Sequence, residues 1–163
     1  MGRLPFFIVG ALSLGAIVFV VATSAALPPR VATHFGAGGQ ANGWMTREGY
    51  VAFMLAFAVV LPWLVFAAIA LLPRGWLNIP GGNREIAPAN REAALALTRR
   101  FATGLAASMI VLSAAAHVAI LAAHRRAPPQ LDEGPFLAVV GVFVAGLVVA
   151  ALRFNRQYKR IMA

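Results

Sequence analysis

His34, His117 and His124 are the first candidates for chemistry in this 163-residue chain, which has no cysteine and only five carboxylates. His117 and His124 are seven residues apart, so on a helix they share a face. A rise of about 1.5 Å per residue still separates them by roughly 10 Å, too far for one metal ion to bridge easily. His34 could join either of them, with Glu48, Asp132 or Glu133 supplying an oxygen ligand. No short ligand spacing such as His-Glu-x-x-His is present. Neither a metal nor any other cofactor is therefore expected. His34 reads as an imidazole bonded to its own loop or as a direct ligand contact. His117 falls within an apolar run, where an ionisable side chain tends to face protein or water rather than lipid. Ser113, four residues earlier, lies on the same helical face and could share a hydrogen bond with it. His117 is then a neutral packing residue or part of a proton-responsive polar site.

Catalysis has little else to build on. The run "GAGGQA" at Gly36 to Ala41 fits a dinucleotide fingerprint in form, but it lacks the preceding buried strand and the following helix that give the pattern meaning. Nothing resembles a nucleophile elbow or an intramembrane pair of carboxylates, so no enzyme is expected. A small transporter or metal-dependent enzyme ranks behind a binding or structural role, since the apolar cores hold no Asp, Glu, Lys or Arg.

The elements that must position these residues follow from composition. With 61% hydrophobic residues, 12% charged residues and a mean hydropathy of +0.80, the chain does not suit a soluble domain. Its net charge of +9 lies between apolar runs instead of clustering on a soluble face, which argues against nucleic acid. Four runs are long enough to cross a bilayer as helices: about Leu4 to Ala26, Tyr50 to Leu72, Phe101 to Ala123 and Pro135 to Leu152. The first could also be read as a signal peptide, but it is longer than the usual apolar region of one. The expectation is an all-α, four-helix transmembrane bundle forming a single domain over residues 1–163. Pro62 should kink the second helix. Small pairs at four-residue spacing (Ala11 and Gly15, Gly104 and Ser108, Gly141 and Ala145) are candidates for close helix packing.

Arginine and lysine set the expected orientation. Arg3, Arg74, Arg84, Arg91, Arg99, Arg100, Arg153, Arg156, Lys159 and Arg160 fall on one side, against Arg30, Arg47, Arg125 and Arg126 on the other. This asymmetry predicts cytoplasmic N- and C-termini. On that inner side, Asn78 and Pro80 should order the exit of the second span. Pro88 could begin a short helix carrying Arg91 towards the third, with the arginines facing anionic lipid.

The segment "LPPRVATHFGAGGQANGWMTREG" between the first two spans would then lie outside. Pro28 and Pro29 end the first helix, Gly36, Gly38 and Gly39 permit positive φ, and Asn42-Gly43 is a two-residue turn signal, so an ordered loop or short hairpin is expected. Trp44 and Tyr50 could anchor its return at the membrane interface. The run "LP" followed by "VATHFGAGGQANGW" resembles a bacterial membrane domain of unknown function found at the N-terminus of SdpI-like immunity and signalling proteins. The later "LNIPGGNREIAPANRE" is similar to that family's second motif. The resemblance implies a multi-pass protein of the bacterial cytoplasmic membrane that binds a peptide, toxin or membrane-protein partner at its outer face. Thr33, His34, Gln40, Asn42 and Trp44 are the candidate binding residues, and Asn78, Pro80 and Arg91 the inner motif. The rival reading is a structural or accessory subunit of a larger membrane complex.

Overall fold

The computed structural model describes residues 3–70 and 88–162. It contains four helices long and apolar enough to cross a membrane. The first, α1, spans Leu4–Ser24. The second crossing is continuous over Arg47–Ala70 and comprises α2 (Arg47–Leu55), a π-helical turn (Ala56–Val60) and α3 (Leu61–Ala70). The remaining helices are α4 (Pro88–Ala123) and α5 (Glu133–Met162). Helix is the form these apolar runs must take, because each backbone polar group is then satisfied within its own segment. Two helices outrun the apolar windows. The short helix expected from Pro88 and the third span are one helix, and α5 continues through Arg153, Arg156, Lys159 and Arg160. Hydropathy marks where a helix can meet lipid; hydrogen bonding lets it continue beyond.

Pro62 acts on the residues before it. It cannot donate to a carbonyl four residues back, and its ring would press on that carbonyl in a regular α-helix. The chain widens into the π-helical turn directly upstream, where the Leu61 amide reaches back to Ala56 O. Phe57 O thereby loses its ordinary α-helical partner, and the Ser113 hydroxyl on α4 lies 3.4 Å from it. The proline is thus accommodated within a continuous crossing.

Helices α1, α2–α3 and α4 surround two apolar clusters. Val9, Ala16, Ala58, Phe66, Ala102, Ala106 and Ile110 form one. Val20, Leu27, Val31, Tyr50 and Met54 form the other, at the end nearer the first loop. Trp63 Nε1 donates 3.0 Å to Ser13 Oγ across the first cluster's rim. By contrast α5 packs on α4, and its most apolar window contains no buried residue. The small pairs do not act as close-packing seams: a Cβ built on Gly15, Gly104 or Gly141 would meet nothing within 4 Å.

Between α1 and α2 the chain forms an antiparallel hairpin of β1 (Arg30–Phe35) and β2 (Ala41–Thr46). The reversal lies at Gly36 to Gln40, closed by Gly36 N–H donating to Gln40 O (2.9 Å) and Gly39 N–H to Gly36 O (3.0 Å). Among the described residues only Gly38 and Gly39 take positive φ, at 78° and 73°. Asn42 and Gly43 therefore do not make the turn; both lie within β2.

Candidate functional site

The hairpin is held from two sides by residues some 90 positions away. On its β1 edge, the Ala32 amide donates to His124 Nε2 at 3.0 Å. The other ring nitrogen of His124 lies 2.9 Å from Ile120 O. Since Nε2 must accept, Nδ1 carries the proton and donates to that carbonyl. At the tip, Gly39 N–H donates to Glu133 Oε1 (2.9 Å), Leu131 N–H to Gly39 O (2.8 Å) and the Gln130 side-chain amide to Gly38 O (3.1 Å). Gly39 is needed twice over, because its φ favours glycine and a Cβ there would overlap the Leu131 carbonyl oxygen. The base is closed by Arg47, whose amide donates to Pro29 O (2.9 Å) and whose guanidinium donates to Leu27 O (3.2 Å). Thr46 caps α2 by accepting from the Gly49 amide.

Backbone fixation leaves one set of side chains free. Val31 and Ala32 are buried, whereas His34, Gln40, Asn42 and Trp44 are exposed and Thr33 is half-buried. The His34 Nδ1–H bonds to Asn42 Oδ1, which leaves Nε2 as an acceptor. A Cβ on Gly43 would stand 2.7 Å from His34 Cβ, so the glycine makes room for the histidine to lie across the strand. This explains an Asn-Gly pair outside a turn: Asn42 orients His34 and Gly43 admits it. The exposed Trp44 adds an apolar face at 43% relative exposure.

A second polar group lies below the hairpin. His117 is fully buried, its Nδ1 lying 2.6 Å from Tyr50 Oη and its Nε2 2.8 Å from Thr23 Oγ1. Thr23 Oγ1 also lies 2.6 Å from Phe19 O, and a carbonyl can only accept. The Thr23 proton is therefore spent on Phe19 O, His117 Nε2–H donates to Thr23, and Tyr50 O–H donates to Nδ1. With the imidazole neutral, one terminal acceptor fixes the direction of every bond. Tyr50 also stacks on the ring at 5.6 Å, and Phe19 meets its edge at 5.4 Å.

These positions revise several expectations. Ser113 does not bond to His117; its hydroxyl lies 2.9 Å from Met109 O, facing the π-helical turn on its other side. Tyr50 is not an interfacial anchor but a buried donor at 2% exposure. Thr23 gave no sequence signal, and neither did the clamp of Gln130, Leu131 and Glu133. Asn78 and Pro80 lie outside the described residues, and Arg91 is exposed near the start of α4. Among the described residues no group of three or more His, Asp or Glu side chains is placed to hold a metal ion.

Fold and composition define an integral membrane protein with four apolar helices and a small hairpin after the first. A family model for a domain of unknown function, DUF1648, matches residues 11–60. The matched stretch runs from α1 through the hairpin into the π-helical turn, and so includes Thr23, the hairpin face and Tyr50. No curated protein and no solved structure matches the chain.

Proposed function

We propose that the protein is a recognition protein of the bacterial cytoplasmic membrane, binding a peptide, toxin or membrane-protein partner through the exposed face of the hairpin. In this reading it acts by binding and not by catalysis, in the manner of the SdpI-like immunity proteins whose N-terminal motif it resembles. The whole chain forms one membrane domain, with both termini cytoplasmic and the hairpin outside, as the arginine asymmetry favours. The observation that carries the proposal is the contrast between a hairpin backbone bonded to the α4–α5 end of the bundle and four side chains left uncommitted to packing. A surface fixed before contact loses little conformational entropy on binding, and aromatic and amide groups suit such a face.

The test replaces Trp44 by a photo-crosslinking residue in native membranes and compares the adduct with and without His34→Ala and Asn42→Ala. A discrete adduct that weakens in both variants while thermal stability is kept supports recognition. An adduct indifferent to both substitutions, or loss of fold in parallel with loss of adduct, reduces the hairpin to a structural cap.

A further inference from the structure

A groove of about 1020 Å³ runs between α4 and α5, lined mostly by apolar side chains. Its lining on α4 runs from Leu97 to Leu112. The stretch from Arg100 to Leu112 alone extends about 18 Å, slightly more than half of a hydrocarbon core of roughly 30 Å. The groove therefore has the depth of one lipid leaflet. Gly104 and Gly146 line it and make its width, since a Cβ at either would meet nothing within 4 Å.

The two helices are joined by a short loop and run antiparallel, so Arg100 near the start of α4 and Arg153 in the latter part of α5 line the same end of the groove. Among the described residues, no carboxylate lines it. A second groove of about 380 Å³ opens on the adjoining face of α4, against Leu4, Pro5 and Ile8 of α1. Arg99 and Arg100 line it, and it shares Arg100 and Gly104 with the first.

We infer that these paired grooves form a binding site for one anionic diacyl phospholipid. Its two acyl chains lie on either side of Gly104, and its phosphate is held by Arg100 with Arg99 and Arg153. Apolar walls alone would fit any membrane-facing surface. The occupant is specified by charge complementarity: cationic groups converge at the end where two apolar channels meet, and a guanidinium matches phosphate geometry through paired N–H donors. A partner helix would fill a groove but would leave these arginines without an anion.

Native mass spectrometry of the full chain in detergent tests this, with added phosphatidylglycerol or phosphatidylcholine of matched chains. Retention of one phosphatidylglycerol in preference to phosphatidylcholine is expected, weakened roughly 30-fold by Arg100→Gln with Arg153→Gln. Arg100→Lys with Arg153→Lys keeps the preference and serves as the folded control. Gly104→Leu with Gly146→Leu fills the grooves and abolishes retention with all arginines intact. Equal retention of both lipids, retention unchanged by the glutamine or leucine pair, or displacement of the lipid by inorganic phosphate alone would overturn the inference. So would a disulfide cross-link between two copies of the Gly146→Cys variant.

Discussion

Tyr50 Oη stands 2.6 Å from His117 Nδ1, joining the start of the second crossing to α4 beneath the hairpin. The bond is the first step of a chain that ends on the Phe19 carbonyl, so removing one member has a defined consequence for the next. Tyr50→Phe leaves His117 Nδ1 buried without a donor and should lower stability by about 1–3 kcal/mol. Tyr50→Phe combined with His117→Leu should cost less than the two singly, because Thr23 keeps its bond to Phe19 O and no buried polar atom is stranded. Thermal or denaturant unfolding in detergent measures the cycle. Additive losses would show that the bond does not couple the two residues.

His124 supports the hairpin through the lone pair on Nε2, which accepts from the Ala32 amide. A leucine at position 124 would offer that amide no acceptor. His124→Leu should remove about 1 kcal/mol of hairpin protection at neutral pH, or roughly a fivefold faster amide exchange at Ala32. After correction for intrinsic exchange rates, the leucine variant should lose Ala32 protection relative to wild type. Identical profiles would detach His124 from hairpin stability.

Gly38 and Gly39 separate a conformational cost from a steric one. Both have positive φ, so alanine at either should cost on the order of 1–2 kcal/mol. Only at Gly39 does the added methyl also press on the Leu131 carbonyl, at a residue bonded to Leu131 and Glu133. Gly39→Ala should thus destabilise the hairpin more than Gly38→Ala, and should raise amide exchange at Leu131 as well. Equal effects at the two positions would mean that the α4–α5 loop contributes nothing to holding the tip.

Much of the architecture was legible in the order of residues. Long apolar runs can satisfy their backbones in a bilayer only as helices, and the prolines and glycines after α1 leave few structures other than an ordered reversal. Even the burial of His117 followed from its place in an apolar run. Its partners did not, because helical spacing pointed to Ser113 while Tyr50 and Thr23 came from other helices. The turn was misplaced for a similar reason: Asn42-Gly43 is locally a turn signal, yet the space required by His34 on the facing strand assigns Gly43 to β2.

By itself, then, the sequence determined what local chemistry and solvent dictate: four apolar helices, the charged segments between them and a structured first loop. Tertiary structure alone decided which face of the hairpin is free, since Ala32, Gly38 and Gly39 are bonded by residues 92 to 94 positions away. It also decided that α5 packs on α4 with a groove left open at Gly104 and Gly146, although small residues on both helices could equally have closed it. The physical reason is common to both. Hydropathy and turn propensity are sums over neighbouring residues, whereas the partner of a strand edge, a buried imidazole or a helix face is chosen by the packing of distant segments.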